Sequence, residues 1–128
     1  MSLAQKSTVL VVEDELTVRE LAVSIIENCG YTALSAANAR EAIALLETER
    51  PIEILFADIN IPDGPEALDG LGLGRAAREF CPGLRVLYTT GGAKTDGMIA
   101  FFVVGAGFLQ KPYTRDRLIN ALDALTAA

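Results

Sequence analysis

The sequence predicts an α/β fold, a doubly wound parallel sheet of five strands with helices on both faces. Five short apolar runs alternate along the chain with five amphipathic stretches, which is the pattern of a (βα)5 protein. The runs are apolar throughout, as is typical of strands that are buried on both faces. The 128 residues, 51% of them hydrophobic, suffice for one domain with a sizeable core. Right-handed crossovers between parallel strands favour the doubly wound arrangement.

The first elements are delimited by clear start and stop signals. The first strand, rich in β-branched residues, ends at acidic residues, and the helix that follows ends at Gly30. Asn38 and Glu41 form a capping-box pattern at the start of the second helix, and Pro51 prevents its extension. The predicted strands cover residues 8–12, 31–35, 52–57, 84–89 and 107–110.

The later elements are delimited by proline, glycine and a capping threonine. Residues 60–70 contain two prolines and two glycines and predict a loop, and Pro82-Gly83 ends the third helix. Thr114 is predicted to cap the last helix, which carries Leu118, Ile119, Leu122 and Leu125 on one face. The predicted helices cover residues 16–29, 38–49, 71–80, 95–104 and 114–125.

Composition excludes several classes of function. The absence of histidine excludes Ser-His-Asp and Cys-His catalysis, a His-ligated zinc site and a phosphohistidine within the chain. A net charge of −6 makes direct nucleic-acid binding an unfavourable hypothesis, because that affinity comes mainly from Lys and Arg. Cys29 and Cys81 form no C-x-x-C motif, and we expect two reduced thiols at helix ends.

The chain shows no predicted membrane span or export signal. Its longest nearly apolar run, residues 98–109, is too short to span a bilayer and contains Gly105 and Gly107. We therefore expect a cytoplasmic protein. Residues 1–7 are expected to be a disordered or expression-derived segment, and residues 8–126 to form a single domain.

Polar side chains follow four of the five predicted strands, at the point where each strand ends. In parallel sheets ligands bind outside these carboxyl ends. One carboxylate after a strand is usually only a solvated surface residue, but complementary groups at four ends favour a common site. The side chains at these ends are those of Glu13, Asp14, Asp58, Thr90 and Lys111.

The chemistry of this set indicates phosphoryl transfer. Three clustered carboxylates repel one another unless a cation joins them, and oxygen ligands without Cys or His suit Mg²⁺. We expect Glu13, Asp14 and Asp58 to hold the metal, with Lys111 and the Thr90 hydroxyl directed at the same phosphoryl oxygens. The Asp58 carboxylate can act as the nucleophile and carry the group as an aspartyl phosphate.

At this point the sequence resembles a response-regulator receiver domain of two-component signalling, from about residue 8 to residue 125. The resemblance rests on four segments in the expected order: VLVVEDE at 9–15, DINIP at 58–62, YTTG at 88–91 and FLQKP at 108–112. It implies a flavodoxin-like three-layer sandwich with the strand order 2-1-3-4-5. The FLQKPY ending resembles receivers of hybrid sensor histidine kinases.

The resemblance also implies a role for each site residue. Asp58 is the phosphoacceptor, and Glu13 and Asp14 hold Mg²⁺ directly or through water. The backbone carbonyl of Asn60 completes the metal site, and Lys111 pairs with the acyl phosphate. The switch hydroxyl belongs to Thr90 and not to Thr89, because the family places it at the end of the strand, before a small residue.

Five residues around the site have further expected roles. Phe108, three residues before the lysine, is either the switch aromatic of the family or an ordinary core side chain. Gly91 and Pro112 shape the phosphate site, because glycine leaves room for a phosphoryl group and proline fixes the loop after the lysine. Asn60 could orient an attacking water, and Gly92 leaves the phosphoryl group uncovered on one side.

The resemblance implies a phosphorylation switch. A histidine kinase or histidine phosphotransfer protein supplies the phosphoryl group in trans. The face formed by the fourth helix, fifth strand and fifth helix then changes, and a homodimer can form through it. Chemical activity is expected to be limited to self-phosphorylation, from phosphohistidine or small phosphodonors, and autodephosphorylation. We expect no output domain after Leu125, so the chain either acts alone or is a receiver from a longer protein.

One departure from the family and two alternative functions stay open. The segment after Pro62 is about four residues longer than usual in receivers, which affects the start of the third helix and access to the site. The main alternative is an interaction module with a receiver fold that needs no phosphorylation. A flavin-binding protein would fit the fold, but the acidic Glu13, Asp14 and Glu15 would repel the FMN phosphate.

Overall fold

The structure, a computed structural model, describes residues 7–49, 51–61, 69–92 and 94–126, within which strands and helices alternate. The strands are β1 (Thr8–Val12), β2 (Thr32–Ala36), β3 (Ile54–Asp58), β4 (Arg85–Thr90) and β5 (Gly107–Gln110). The helices are α1 (Leu16–Asn28), α2 (Ala39–Thr48), α3 (Gly70–Phe80), α4 (Asp96–Ile99) and α5 (Arg115–Thr126). The strands form one parallel sheet in the order β2-β1-β3-β4-β5, so the predicted fold and strand order are confirmed.

The core consists of two apolar layers, one on each face of the sheet. Alternate residues of a strand point to opposite faces, so Leu10 and Val12 of β1 enter one layer and Val9 and Val11 the other. The first layer packs against α2 and α3, and the second against α1 and α5. This arrangement buries the central strands on both faces and leaves their carboxyl ends at one edge of the sheet.

Several predicted helix ends have the expected local chemistry. The Asn38 side chain accepts a hydrogen bond from the Glu41 backbone N–H at 2.9 Å, and the Glu41 carboxylate accepts one from the Ala37 N–H at 2.8 Å. Gly30 ends α1 with a φ of 97°, which glycine adopts at little cost. The Thr114 hydroxyl accepts a hydrogen bond from the backbone N–H of Arg117 at 3.1 Å, as expected of a cap.

The predicted helix over residues 95–104 is wrong in length, because the α-helix ends at Ile99. The following residues form tighter turns, in which each hydrogen bond spans three residues instead of four. One example is the bond from the Phe102 N–H to the Ile99 carbonyl at 3.0 Å. The Tyr88 hydroxyl accepts a hydrogen bond from the Val103 N–H at 3.3 Å, and the Phe102 ring packs 4.6 Å from the Tyr88 ring. These tertiary contacts replace the helical hydrogen bonds that the sequence pattern predicts.

Three strands begin one or two residues later than predicted, at Thr32, Ile54 and Arg85. For β2 the cause is visible, because the Tyr31 N–H still bonds to the Ile26 carbonyl of α1 at 3.3 Å. Cys29 and Cys81 are free thiols at the C-terminal ends of α1 and α3, as expected. In the described part of the chain, the helices are too short or too polar to cross a membrane.

Candidate functional site

The carboxyl edge of the sheet brings the polar residues of the strand ends together. β1 and β3 are neighbours in the sheet, so Glu13 and Asp14, which follow β1, lie beside Asp58 at the end of β3. Asp58 pairs in register with Thr89 of β4, and Thr90 pairs with Gln110 of β5. Parallel pairing therefore collects side chains that are far apart in sequence.

Lys111 joins two buried carboxylates at the centre of this edge. Its Nζ lies 2.7 Å from Glu13 Oε1 and 2.6 Å from Asp58 Oδ2. The side chains of Glu13 and Asp58 are only 6% and 7% exposed, whereas that of Lys111 is 20% exposed. The ammonium group is therefore the cation that makes burial of these two charges tolerable.

Burial and pairing act in opposite directions on the pKa values of this cluster. Burial raises the pKa of Glu13, and the hydrogen bond from Lys111 only partly offsets that effect. Burial also tends to lower the pKa of Lys111, but its hydrogen bonds to Asp58 and Glu13 outweigh burial and raise the pKa. Lys111 therefore carries its positive charge throughout the physiological pH range.

The three carboxylates that the sequence predicts as metal ligands form one acidic cluster. One oxygen each of Glu13, Asp14 and Asp58 lies within 4.8 Å of the others, and Asp14 is exposed while its two partners are buried. An all-oxygen set with one solvent-facing member fits a hard, hydrated divalent cation such as Mg²⁺. Charge supports this fit, because Lys111 supplies one positive charge against three carboxylates.

Thr90 is connected to Asp58 through Asn60. The fully buried Thr90 hydroxyl oxygen accepts hydrogen bonds from Asn60 Nδ2 at 2.7 Å and from the Gly92 N–H at 3.2 Å. The Asn60 backbone N–H in turn donates to Asp58 Oδ1 at 2.8 Å. Thr89 instead donates its hydroxyl hydrogen to the Leu109 carbonyl at 2.6 Å, so Thr90 is the threonine in the Asp58 network.

The remaining residues expected at the site lie around it rather than in its hydrogen-bond network. Phe108 is partly buried in β5, 6.1 Å from the Phe102 ring, with Lys94 Nζ 5.1 Å from its centre. Gly91 is exposed, and a Cβ added there would meet no atom within 4 Å. Pro112 is exposed and follows Lys111 through a cis peptide bond. Of the longer segment predicted at residues 63–69, residues 63–68 lie outside the described residues.

The sequence analysis did not predict an apolar cleft beside the site. It has a volume of about 410 Å³ and lies between α1 and the segment after β5. Leu16 and Leu21 of α1 are 56% and 59% exposed. The sequence pattern groups Leu21 with the apolar positions of α1, although the helix buries only Ala22 and Ile26. The cleft is lined by Thr17, Val18, Leu21, Gly91, Lys111, Pro112 and Tyr113.

Comparison with known proteins identifies the family. The model of the response regulator receiver domain matches residues 9–123. This chain belongs to the receiver domain family. It is 32% identical over 112 residues to the nitrogen assimilation regulatory protein NtrX of Azorhizobium caulinodans, covering 87% of this chain and 24% of that protein. It is also 32% identical over 123 residues to the sensor kinase CckA of Brucella abortus, covering 94% of this chain and 12% of that protein.

Solved receiver structures have the same fold. A response regulator receiver protein from Sinorhizobium medicae superposes with a TM-score of 0.83 at 26% identity, covering 94% of both chains. A CheY-like receiver domain protein from Methanospirillum hungatei gives a TM-score of 0.81 at 25% identity, covering 92% of this chain and 91% of that one. The chain spans about a quarter of the length of the first curated relatives that it matches, between 23% and 24% of each. The predicted receiver domain of two-component signalling is confirmed.

Proposed function

We propose that this receiver domain is a cytoplasmic phosphoacceptor, in which Asp58 takes a phosphoryl group from a phosphohistidine of a histidine kinase or histidine phosphotransfer protein. The observation that carries the proposal is the contact of Lys111 with both Asp58 and Glu13, at 2.6 and 2.7 Å. A buried carboxylate beside an ammonium group and two further carboxylates has the charge pattern of a phosphoryl-transfer site.

The proposed reaction needs no general base. A carboxylate oxygen of Asp58 forms the new O–P bond while the N–P bond of the donor phosphohistidine breaks, and the imidazole keeps that electron pair. The Lys111 ammonium group neutralises charge on the transferred group, and Asn60 holds the Asp58 carboxylate through its backbone N–H. Glu13 and Asp14, with Asp58 and the Asn60 carbonyl, would hold Mg²⁺, which supplies further neutralisation of the phosphoryl oxygens.

The proposed output is a rearrangement that begins at Thr90. Its hydroxyl oxygen is now held by Asn60 and Gly92, and a phosphoryl group on Asp58 offers a competing partner of high negative charge. Movement of Thr90 opens space near Phe108, which lies in β5 and contacts the segment after α4 through Phe102. We expect the α4-β5-α5 face to change, with a homodimer as one consequence.

The apolar cleft beside Lys111 supports a helical phosphodonor. The exposed Leu21 of α1 lines the cleft, and Lys111 lines it as well. A partner helix that packs on Leu21 and the cleft would carry its phosphohistidine beside the carboxyl edge of the sheet. Donor binding and phosphoryl transfer would thus use adjoining surfaces.

Phosphorylation of matched variants tests the proposal. The wild-type chain, Asp58→Asn and Glu79→Gln are incubated with Mg²⁺ and acetyl phosphate, and intact mass is measured. Glu79 lies on α3 and is exposed, so its substitution controls for the loss of one carboxylate. We expect one hydroxylamine-labile phosphoryl group on the wild type and Glu79→Gln, and none on Asp58→Asn. Equal labelling of Asp58→Asn would refute the assignment.

A second measurement separates the switch from the interaction module that needs no phosphorylation. Size-exclusion chromatography and NMR spectra are recorded with and without beryllofluoride and Mg²⁺. The switch predicts spectral changes that extend from Thr90 to the α4-β5-α5 face. If changes stay confined to the metal ligands, the chain is a receiver fold without a phosphorylation-dependent output.

A further inference from the structure

The Gln110 side chain makes an unusual set of contacts that the proposed reaction does not use. Its Nε2 lies 3.1 Å from the Thr90 carbonyl oxygen, 2.8 Å from that of Gly92 and 3.3 Å from that of Lys111. A side-chain amide nitrogen has two hydrogens, which three acceptors share here. Because all three neighbours are acceptors, the donor end of the amide must face them. Gln110 therefore ties the segment after β4 to the segment that carries Lys111.

The tied segment consists of two exposed glycines. Gly91 and Gly92 are both exposed, and a Cβ at Gly91 would touch nothing within 4 Å. Two successive glycines have more conformational freedom than any other pair of residues, so their geometry depends on outside contacts. The 2.8 Å bond to the Gly92 carbonyl is the shortest of the three that the Gln110 side chain makes.

The Gly92 backbone links this contact to Thr90. Its carbonyl is held by Gln110, while its N–H donates to the Thr90 hydroxyl oxygen at 3.2 Å. Holding one end of Gly92 keeps the other end in place for Thr90. The position of the Gln110 amide therefore affects the Thr90 hydroxyl through Gly92. In the proposed function, this hydroxyl leaves Asn60 and Gly92 for the phosphoryl group.

We propose that Gln110 is a positioning residue that stabilises the resting arrangement of Thr90 by clamping the carbonyl oxygen of Gly92. The inference rests on the proposed function and adds a residue that controls its switch. Without the clamp, less free energy is needed for the Thr90 hydroxyl to give up its hydrogen bond with Gly92 and bond to a phosphoryl group instead. A phosphoryl mimic at Asp58 then binds more tightly, although Gln110 does not itself face Asp58.

The test uses Gln110→Met, which keeps the length of the side chain and removes both donors. The apparent affinity for beryllofluoride in Mg²⁺ is measured for the wild type and the variant. We expect about fivefold tighter binding, the factor that corresponds to about 1 kcal/mol for one net hydrogen bond. Asn28→Leu, on the exposed end of α1, is the control for replacing an amide and should leave the affinity unchanged.

A double-mutant cycle separates positioning from a general structural role. In a Thr90→Val background the hydroxyl is absent, so Gln110→Met should no longer change the affinity. An equal effect of Gln110→Met in both backgrounds would mean that Gln110 only supports β5, and would overturn the inference.

A third measurement does not depend on phosphorylation chemistry. NMR order parameters of the Gly91 and Gly92 amides, recorded without Mg²⁺, should fall in Gln110→Met and not in Asn28→Leu. Unchanged order parameters would overturn the inference, whatever the mimic does. If they fall but wild-type protein does not bind beryllofluoride, the clamp exists and the proposed function is what fails.

Discussion

Replacing Asp14 by Asn is expected to stabilise the metal-free protein while removing its response to Mg²⁺. Asp14 is exposed, and its carboxylate lies within 4.8 Å of oxygens of both Glu13 and Asp58. Among the described residues, no hydrogen bond or salt bridge to the Asp14 side chain compensates for this proximity. Its negative charge therefore opposes folding in the absence of a cation, in contrast to the charge of Asp58, which Lys111 balances.

The size of the effect follows from Coulomb's law. At the 4.8 Å limit, two unit charges repel by about 0.9 kcal/mol in bulk water and by about 3.5 kcal/mol at an effective dielectric constant of about 20. Asp14 faces solvent, so the lower value applies to each of its two repulsions. Attraction to Lys111, which contacts both neighbouring carboxylates, offsets part of this repulsion. We expect Asp14→Asn to raise the free energy of unfolding by about 1 kcal/mol, or Tm by about 4 °C.

The assay is thermal and urea unfolding in EDTA and in Mg²⁺, with Glu79→Gln as the matched loss of a carboxylate. The wild type should gain about 1.4 kcal/mol at a Mg²⁺ concentration tenfold above Kd, because the ion binds the folded state. Asp14→Asn should gain much less. The difference in free energy of unfolding between the variant and the wild type should therefore be smaller in Mg²⁺ than in EDTA, or change sign. A variant that is less stable than wild type in EDTA, with an undiminished Mg²⁺ increment, would refute the reasoning.

Three further predictions concern the support of the site, alkaline stability and donor docking. Gly70→Ala should lower the free energy of unfolding in urea by about 3 kcal/mol, because the added Cβ would lie 2.6 Å from Ile59 Cα. Alanine favours helices more than glycine does, so an unchanged free energy of unfolding would contradict the steric argument. Burial and the hydrogen bond to Asp123 raise the pKa of Tyr31 from 10.0 to about 12, so the neutral phenol stabilises the fold below pH 10. About 2.7 kcal/mol should be lost progressively between about pH 9 and about pH 13, and urea unfolding of Tyr31→Phe should show a smaller loss. Leu21→Gln should slow labelling by a phosphorylated histidine protein about tenfold and leave labelling by acetyl phosphate unchanged, whereas equal slowing would exclude a docking role.

The fold and the location of the site follow from the sequence for one physical reason. Strands that are apolar on both faces require a parallel sheet covered by helices, and a parallel sheet places all its carboxyl ends at one edge. The chain positions of Glu13, Asp58 and Lys111 at strand ends were therefore enough to predict that they meet. The choice of Thr90 over Thr89 came from the resemblance to receiver domains. The alternation of side chains along β4 explains why only one of the two hydroxyl groups enters the Asp58 network.

The features that were not predicted depend on contacts between distant residues. The length of α4 is limited by the Tyr88 hydroxyl and the Phe102 ring, and no local propensity encodes either contact. The exposure of Leu21 could have been suspected, because apolar positions at 18, 21, 22, 25 and 26 make a wider stripe than two buried residues require. The three acceptors of Gln110 come from backbone carbonyls, which leave no trace in side-chain patterns.

In the resting site, the hydroxyl hydrogen of Thr90 is available to bond to the negative charge that phosphorylation would add. Both oxygens of Asp58 already accept hydrogen bonds, one from Asn60 and one from Lys111. Phosphorylation of Asp58 would replace the single charge of the carboxylate by a phosphoryl group of about −1.5 to −2, which one ammonium group cannot balance. In the described part of the chain Thr90 Oγ1 only accepts hydrogen bonds, so its own hydrogen remains available. In the proposed switch, Thr90 turns away from Gly92 to donate that hydrogen to the phosphoryl group, and the Gln110 clamp opposes this turn.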